Sequence, residues 1–344
     1  MQVVGPKMQK LGFGIIGCGF AGNIHAQAIT STKEGELVAV CDKDKEAVKS
    51  LATKYKIEWY TDLPTFLSRD DIQIVNICVP SSLHGDVAIQ AAKAGKYLVV
   101  EKPLDVTVEK CDVIIEAARS AGVKLTVIFQ NRFKEAVRAL RKALEEGRFG
   151  KLILGEAFVR WHREPEYYEK GGWKGTKRYD GGGALINQGI HTIDLLQWMM
   201  GPVKDIHSKT RTLVHDIEVE DSAVAILEFE NGALGVIEGA TSIYPGLDEC
   251  LGIYGEKGTV RIEGNRILTW EFKEEKEEDK QKRLIGREET SSVARGASGM
   301  SFKYHQAQIE NLIQSIQNNQ EPLINGEEAK KAVQIIQRIY LSGG

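Results

Sequence analysis

The sequence predicts an α/β protein in which a doubly wound parallel sheet is followed by an α+β domain with a large, mostly antiparallel sheet. Strand-like and helix-like patterns alternate through roughly the first 130 residues, which is typical of right-handed βαβ units. A glycine-rich turn at residues 17–22 joins the first strand to the first helix. Later strand-like runs follow one another with few helices between them. The 344 residues are enough for two domains, which we place at 1–130 and 131–344.

The first domain is predicted from short apolar runs that end at glycine, proline or acidic residues. The predicted strands are residues 13–16, 37–41, 72–79, 97–100 and 124–129. The predicted helices are residues 23–30, 45–55, 86–94 and 108–121.

The second domain begins with a predicted helix at 134–146, and a strong helix is predicted at 184–200. The strand-like runs are residues 152–161, 203–211, 222–229, 233–242, 251–254 and 259–262, and two closing helices are predicted at about 302–318 and 327–341. Asn231-Gly232 between two of these runs indicates an antiparallel hairpin. The charged run 271–283 is most simply a solvated hairpin end or loop.

Composition excludes several classes of protein. A net charge of -3 argues against a nucleic-acid binder with a dominant basic surface. The five cysteines contain no C-x-x-C spacing, so we predict neither a zinc site nor a disulfide framework. No apolar stretch is long enough to span a membrane, and residues 1–10 carry no signal-peptide pattern, so we expect a cytoplasmic protein that does not bind membranes.

The turn Gly-Cys-Gly-Phe-Ala-Gly at 17–22 fits a dinucleotide-binding fingerprint because a strand precedes it and a helix follows. Gly17 allows the tight turn, Gly19 lets the backbone approach a pyrophosphate, and Gly22 allows close packing of the helix. Asp42 ends the next strand, where it can accept hydrogen bonds from ribose hydroxyls and repel a 2′-phosphate. We therefore predict NAD as cofactor, while the neighbouring Lys43 leaves NADP open.

Other cofactor contacts are expected where further strands end at the same edge of the sheet. His84 lies close to one such end, although a lone histidine there is more often a loop or helix-cap residue. The predicted cofactor-binding residues are Gly17, Gly19, Phe20, Ala21, Gly22, Asp42, Val79, Pro80, Ser82, His84, Glu101, Lys102 and Gln130.

The tripeptide Glu101-Lys102-Pro103 follows an apolar strand. Proline biases Lys102 toward an extended backbone, so the ammonium is presented at the carboxyl edge of the sheet. A lysine beside a nicotinamide could polarise or deprotonate a substrate hydroxyl. For an isolated tripeptide of this kind, a solvated strand-end lysine would be the better interpretation.

The helix at 184–200 carries the second candidate, His191, with Asn187 four residues earlier. The glycines at 181–183 would let a substrate approach the N-terminal amides of this helix. A histidine on an apolar helix is usually structural, but this one follows a cofactor domain and can exchange a proton near neutral pH. Lys102 and His191 could share the work of base and oxyanion donor, and the sequence leaves the division open. Asp194 follows His191 by three, but no third ligand has plausible spacing, so we predict no metal.

Taken together, these residues resemble the Gfo/Idh/MocA oxidoreductase family. The resemblance rests on the glycine turn, Asp42, Glu101-Lys102-Pro103 and the segment from Gly181 through His191 to Asp194. It implies a Rossmann domain followed by a substrate-binding and oligomerisation domain. It also implies an NAD(P)-dependent dehydrogenase acting on a sugar or cyclitol hydroxyl, with Lys102 and His191 as catalytic residues. Many members have aspartate where this chain has Asn187, which cannot act as a base.

Within the family, three segments resemble the UDP-N-acetylglucosamine(-uronate) 3-dehydrogenase branch: Tyr167-Tyr168, Trp173-Lys-Gly-Thr176 and Asp180-Gly-Gly-Gly-Ala-Leu-Ile-Asn-Gln. That resemblance implies a nucleotide-sugar substrate such as a UDP-N-acetylhexosamine or its uronate. Basic and aromatic residues alternate through 160–178, which suits a diphosphate and a sugar but equally a mixed-charge surface loop. The predicted substrate-binding residues are Lys102, Arg132, Arg163, Trp173, Asn187 and His191.

Three other functions stay open at this point. They are a free-sugar or inositol dehydrogenase, an NAD-dependent glycosidase of the same family, and a cofactor-binding regulator without catalysis. The second domain's long sheet needs covering, so we expect a homodimer or homotetramer built through it.

Overall fold

The computed structural model describes residues 10–169, 172–287 and 301–343. The chain divides into two compact units. The first contains residues up to Asp105 with Glu109–Ile128 and Ser301–Glu328, and the second contains Val106–Val108, Phe129–Met300 and Ala329–Gly344, in each case as far as they are described.

The strands are β1 (Leu11–Ile16), β2 (Gly35–Cys41), β3 (Glu58–Tyr60), β4 (Ile74–Ile77), β5 (Tyr97–Val100), β6 (Leu125–Val127), β7 (Leu152–Arg160), β8 (Val203–Arg211), β9 (Ser222–Phe229), β10 (Leu234–Ala240), β11 (Cys250–Gly255), β12 (Gly258–Glu263) and β13 (Arg266–Phe272). The α-helices are α1 (Phe20–Ser31), α2 (Lys45–Tyr55), α3 (Leu63–Leu67), α4 (His84–Lys93), α5 (Val108–Ser120), α6 (Glu135–Glu145), α7 (Glu166–Glu169), α8 (Ile190–Met200), α9 (Asp279–Lys282), α10 (Lys303–Gln317) and α11 (Gly326–Gly343).

The first unit holds a six-stranded sheet in the order β3-β2-β1-β4-β5-β6, and every pair is parallel. This confirms the predicted doubly wound sheet. The strand order reverses between β1 and β4, which is where such sheets open a ligand crevice at their carboxyl edge. The sequence analysis missed β3 and α3. Glu58 and Trp59 of this edge strand are exposed, so the strand lacks the apolar run that marks the others.

Helix α10 belongs to the first unit, although the predicted boundary at residue 130 assigned it to the second domain. Its apolar residues Ile309, Leu312 and Ile313 lie in the same buried cluster as Phe13 of β1 and Ile29 of α1. The Gln308 side-chain amide also donates to the carbonyl oxygen of Val127, at 2.6 Å. The domain division therefore follows packing rather than chain order.

The second unit holds a seven-stranded sheet in the order β13-β12-β11-β7-β10-β9-β8. Among the described strands of this sheet, only β7 and β10 pair in parallel, so the predicted mostly antiparallel sheet is confirmed. Strands β9 and β10 form the predicted hairpin, and Gly232 supplies a positive φ of 82° at its turn.

The prediction that 271–283 is a solvated hairpin end or loop is wrong in part. Strand β13 ends inside this run, and the short helix α9 buries Asp279, whose side chain is 1% exposed. Asp279 accepts hydrogen bonds from the Arg148 guanidinium at 2.7 Å and from Trp270 Nε1 at 2.6 Å. Charge composition could not show this, because one buried carboxylate with its partners resembles any other acidic residue in a charged run.

The strong helix predicted at 184–200 is two elements. A π-helical segment, Ala184–Gly189, runs directly into α8. The predicted core stripe is confirmed, since Ile186, Ile190, Ile193 and Met200 are at most 1% exposed. Short π segments are uncommon and often mark functional sites. Among the described residues, no helix has the length and apolar character needed to cross a membrane.

Candidate active site

The glycine turn has the geometry expected of a dinucleotide cradle. Gly17 adopts a φ of 97°, and a Cβ there would lie 2.5 Å from the carbonyl oxygen of Cys78. A Cβ at Gly22 would lie 2.1 Å from the carbonyl oxygen of Gly17, which confirms close packing of the helix on the turn. At Gly19, in contrast, a Cβ would have no described heavy atom within 4 Å, so the space beside it is open. The open side of the turn is where a phosphate could approach the backbone.

Helix α1 begins at this turn, and none of the described side chains caps its N-terminus. Its first turn carries no acidic residue, and Phe20 is 57% exposed. Uncapped N–H groups and the positive end of the helix dipole suit an anion. The predicted cofactor residues Phe20 and Ala21 therefore lie at the end of the helix that suits a phosphate.

Asp42 is tied to the same turn. Its Oδ2 accepts from the backbone N–H of Cys18 at 2.7 Å, and its Oδ1 accepts from the N–H of Asp44 at 2.9 Å. An ionised carboxylate offers about four lone-pair sites, so each oxygen retains capacity for another donor. Asp42 is half-buried and its orientation is fixed, as a ribose-binding carboxylate requires. The turn, the uncapped helix and Asp42 thus fit a dinucleotide.

The segment after β4 brings Val79, Pro80 and Ser82 to the same carboxyl edge, all half-buried. His84 has a different role from the predicted cofactor contact. It is 1% exposed, and its Nδ1 and Nε2 lie 2.7 and 3.0 Å from the carbonyl oxygens of Pro103 and Val79. Burial lowers the pKa of His84. The buried His84 side chain therefore links the segment that contains Val79 to the segment that contains Pro103.

Glu101 is also bound within the protein. Its Oε1 lies 2.9 Å from Nε2 of His25, and its Oε2 accepts from the backbone N–H of Lys102 at 3.1 Å. Burial alone would raise the pKa of Glu101, but the hydrogen bond and charge interactions with His25 hold it well below the ordinary value. Lys102 itself is half-buried and belongs to the first unit.

His305 completes a cluster with His25 and Glu101, and ligand atoms of these three residues lie within 4.8 Å of one another. In the described part of the chain, no other group of histidine, cysteine or carboxylate side chains has metal-like spacing. The Asn76 amide lies 2.7 Å from Nδ1 of His25. When that amide donates, the ring hydrogen is on Nε2 and points at Glu101, so hydrogen bonding explains the pair without an ion. Burial lowers the pKa of His305 to about 4.

His191 belongs to the second unit and stands on the first turn of α8. Its half-buried ring packs edge-on against Phe129, with ring centroids 5.7 Å apart. The π segment before it is held by Glu220, which the sequence analysis missed. Glu220 accepts from the N–H groups of Gly183, Ala184 and Leu185, through Oε2, its carbonyl oxygen and Oε1, at 2.8, 2.9 and 2.9 Å.

The predicted role of the glycines at 181–183 is therefore wrong. The amides expected to meet a substrate already bind Glu220, and each glycine is explained by a neighbour within the unit. A Cβ at Gly181, Gly182 or Gly183 would lie 2.4, 2.3 or 1.8 Å from Val106, the Tyr340 hydroxyl or the Glu220 carbonyl oxygen. Tyr340 also donates to Glu220 Oε1 at 2.9 Å. Burial raises the pKa of Glu220, and these hydrogen bonds lower it only in part.

Asn187 is oriented by a buried carboxylate. Its side-chain amide donates to Asp180 Oδ1 at 2.7 Å, and Asp180 Oδ2 accepts from the N–H of Gly175 at 2.8 Å. Gln188 next to it donates to the Tyr167 hydroxyl at 2.6 Å. The π segment and the loop that contains Gly175 are thus joined by side-chain hydrogen bonds. Asp180 was named only as part of a family-like segment, and its role in orienting Asn187 was not predicted.

The basic and aromatic residues of 160–178 stack on one another where they are described. The Arg163 guanidinium lies 4.7 Å from the Trp161 ring centroid and 5.5 Å from that of Tyr167. Lys174 Nζ lies 3.7 Å from the Tyr167 ring and 5.9 Å from that of Trp173, which is half-buried. Burial lowers the pKa of Arg163. Arg163 and Trp161 are each 8% exposed, whereas Tyr167, Trp173 and Lys174 are half-buried.

The structure contradicts the prediction that Arg132 contacts substrate. Its side chain is 0% exposed and forms a two-pronged ion pair with Asp194, with Nε to Oδ2 at 2.8 Å and Nη2 to Oδ1 at 2.6 Å. The guanidinium also lies over the Trp198 ring. Gln130, predicted to bind cofactor, is 7% exposed, and its Oε1 has no hydrogen-bond partner among the described residues.

Comparison with known proteins identifies the family. Residues 11–129 match the family model described as "Oxidoreductase family, NAD-binding Rossmann fold", and residues 137–261 match the one described as "GFO/IDH/MocA C-terminal domain". The chain belongs to the Gfo/Idh/MocA oxidoreductase family. It therefore carries an NAD-binding Rossmann domain, which agrees with the cradle formed by the glycine turn and Asp42.

Three similar proteins illustrate the range of this Gfo/Idh/MocA chain's relatives. The WlbA dehydrogenase of Bordetella pertussis, solved in complex with NADH and UDP-GlcNAcA, is 33% identical over 97% of this chain and 96% of its own, with a TM-score of 0.87. The uncharacterized oxidoreductase YrbE of Bacillus subtilis is 30% identical over 75% of each chain. The myo-inositol 2-dehydrogenase of Thermotoga maritima is 26% identical over 93% of this chain and 92% of its own. The chain is an NAD-dependent oxidoreductase of the sugar and polyol dehydrogenase type.

Proposed function

We propose that this chain oxidises, or reversibly reduces, a hydroxyl group of a nucleotide sugar, with a UDP-N-acetylhexosamine or its uronate as the substrate class. The observation that carries the proposal is the similarity to the Bordetella WlbA dehydrogenase across 97% of the chain. The half-buried Lys174 and Trp173 beside Tyr167 support it, because they bring a cation and an aromatic ring to one place. A free polyol carries no anionic group that would need them.

The chemistry requires two transfers from the same carbinol group. A hydride leaves the carbon, and the hydroxyl proton must leave the oxygen. When bound, NAD⁺ supplies the hydride acceptor. We propose that Lys102 and His191 handle the proton, one as base and the other as hydrogen-bond donor to the developing negative charge.

Substrate orientation is assigned to Arg163, Trp173 and Asn187 in the second unit. Asn187 cannot accept a proton as a base, and Asp180 fixes its amide by a 2.7 Å hydrogen bond. Its role in the proposal is therefore to hold a substrate hydroxyl or acetamido group. Gln188, bonded to Tyr167, keeps the neighbouring loop in register with the π segment.

The decisive experiment is a substrate panel followed by NADH absorbance. UDP-N-acetylglucosamine, its uronate, the corresponding free sugars and myo-inositol are supplied with NAD⁺. The proposal expects NADH formation with a UDP-sugar at a kcat/KM at least about tenfold above that of any free sugar or polyol. NADH formation with free polyols alone contradicts it.

The second candidate is a free-sugar or inositol dehydrogenase. It is favoured by the likeness to the Thermotoga inositol dehydrogenase over 93% of the chain. The substrate panel separates the two candidates, and so does added UDP, which should compete with the substrate only in the nucleotide-sugar enzyme.

Two variants test the assigned chemistry. Replacing Lys102 by Met or His191 by Asn should lower kcat/KM by at least about a hundredfold, because each removes a group that handles the proton. Lys204→Ala and His207→Ala are matched controls, since these side chains of β8 are 62% and 82% exposed. Full turnover in the Lys102 or His191 variant would exclude that residue from catalysis.

A further inference from the structure

A directed chain of hydrogen bonds runs through the interior of the first unit and ends at the backbone of Lys102. Glu101 is its centre, because one carboxylate oxygen faces His25 at 2.9 Å and the other accepts from the Lys102 N–H at 3.1 Å. The His25 side chain is 0% exposed and that of Glu101 is 13% exposed. Water therefore competes little for these bonds.

Asn76 sets the direction of the chain. Its Nδ2 lies 2.7 Å from His25 Nδ1, and Asn76 is 0% exposed. When this amide donates, Nδ1 of His25 accepts and the ring hydrogen is on Nε2. Nε2 then donates to Glu101. Each bond depends on the one before it, from β4 through α1 to the end of β5.

His25 stands on α1, the helix that starts at the glycine turn. We propose that His25, held by Asn76, is a positioning residue that fixes the Glu101 carboxylate and with it the backbone of Lys102. The inference rests on the proposed catalytic role of Lys102. It adds that the helix at the cofactor turn and the lysine are aligned by one buried hydrogen-bonded link, so that loss of the link misplaces the ammonium.

The chain contains its own control for burial. His305 is 3% exposed and packs against His25, with ring centroids 5.6 Å apart. Its Nε2 lies 3.9 Å from Glu101 Oε1, beyond hydrogen-bonding distance. A second buried histidine thus lies near the same carboxylate without forming a hydrogen bond with it. Removing His305 tests packing alone, whereas removing His25 tests packing and the bond together.

The experiment compares His25→Leu, His25→Gln, Asn76→Leu and His305→Leu with the parent protein and Lys102→Met. Glutamine places an amide N–H near the position of Nε2 and can restore the donor. Turnover is measured with the best substrate of the panel, NADH affinity by fluorescence, and folding by thermal unfolding. The Lys102 amide resonance is followed in cofactor-free protein made with isotope-labelled lysine.

We expect His25→Leu to lower kcat about tenfold, since a small misplacement of a reacting group is costly, while the Kd for NADH stays within about threefold. The Lys102 amide resonance should shift. His25→Gln should recover kcat to within about threefold of the parent. Asn76→Leu removes the hydrogen bond that fixes the His25 tautomer, and it should lower kcat several-fold. His305→Leu should leave kcat and the resonance close to the parent values.

The inference is overturned if His25→Leu keeps kcat within about twofold, if His25→Gln is no better than His25→Leu, or if His305→Leu loses as much. Should His25→Leu fail to fold, the Asn76→Leu and His25→Gln variants decide in the same way. Failure of the underlying function looks different, because Lys102→Met would then retain full turnover. If Lys102→Met loses activity while His25→Leu keeps the parent kcat, only the inference that His25 positions Lys102 is overturned.

Discussion

Glu220 and Gly183 approach each other so closely that no side chain can stand at position 183. The Glu220 carbonyl oxygen would lie 1.8 Å from a Cβ there, and Glu220 Oε2 accepts the Gly183 N–H at 2.8 Å. This contact places the start of the π segment that precedes His191. Glycine is therefore required at position 183, because the Glu220 backbone leaves no room for a Cβ.

Gly183→Ala should destabilise the protein by about 2 to 4 kcal/mol, because backbone must move to admit the methyl group. Denaturant unfolding measures the change. The matched control is Gly19→Ala, whose added methyl group meets no described atom within 4 Å and whose φ of -74° suits alanine. That variant should keep its stability within about 0.5 kcal/mol while binding NAD more weakly. Equal stability of the two variants would contradict the close contact.

Asp42→Ala should weaken NAD about tenfold to a hundredfold, since hydrogen bonds to a charged carboxylate are lost, and should weaken NADP much less. Calorimetric titration with both cofactors measures the difference. Lys54→Ala is the control, because that side chain is exposed in the last turn of α2, away from Asp42. Asp42 also accepts from Cys18, so thermal unfolding must accompany the titration. Equal losses for both cofactors would refute the ribose assignment.

The sequence predicted the parts of the fold that depend on local pattern. Apolar runs located β1, β4 and β5, and the turn beginning at Gly17 located α1, because these signals lie within a few residues of one another. Strand β3 escaped because Glu58 and Trp59 are exposed at the sheet edge. Helix α10 was found, but its membership of the first unit depends on packing with residues nearly 300 positions earlier.

Site residues could be predicted from the sequence only where the backbone conformation or a close approach requires glycine. Gly17 and Gly22 have the assigned roles because their conformation and spacing exclude a side chain. Arg132 was misassigned because a buried arginine is indistinguishable from a ligand-binding one until its partner, 62 residues away, is known. His25 and Glu220 were missed for the same reason, since their partners are 76 and 37 residues distant.

Asp279→Asn should destabilise the protein by about 3 kcal/mol at neutral pH, because it leaves the nearly buried Arg148 without its carboxylate. Burial alone would raise the pKa of Asp279, but hydrogen bonds from Arg148 and Trp270 hold it well below 3.8. A carboxyl pKa that is lower in the folded than in the unfolded protein stabilises the fold at pH values above the unfolded pKa. This stabilisation is lost as the pH falls. The gap between parent and variant should therefore shrink below about pH 4 in urea titrations.

The exposed ion pair of Arg119 and Glu116 provides the comparison for Asp279. Glu116→Gln should change stability by less than about 1 kcal/mol at any pH, because solvent screens the pair. If the difference in free energy of unfolding between the parent protein and Asp279→Asn stays constant at acidic pH, packing rather than charge stabilises the Asp279 site.

The outer face of the second unit's sheet leads us to expect association with a second copy of the chain. Val224, Ile226 and Leu234 on it are 51%, 57% and 53% exposed, and the register places Ile226 beside Val236. Two ion pairs also lie on this face, Arg160 with Glu238 at 2.6 Å and Arg261 with Glu156 at 3.1 Å. Covering the face would bury apolar area together with charges that neutralise each other.

Ile226→Asp should convert the assembly to a monomer, because an unpaired carboxylate would be buried among the apolar residues of that face. Light scattering across a range of protein concentrations measures the mass. Leu213→Asp is the control, since Leu213 is 69% exposed but lies in the loop after β8 rather than on the sheet, and it should leave the mass unchanged. A parent protein that is monomeric at every concentration, or a Leu213 variant that dissociates equally, would rule out this face as the contact. Retained cofactor binding in the Ile226 variant would show that the first unit folds independently of the association.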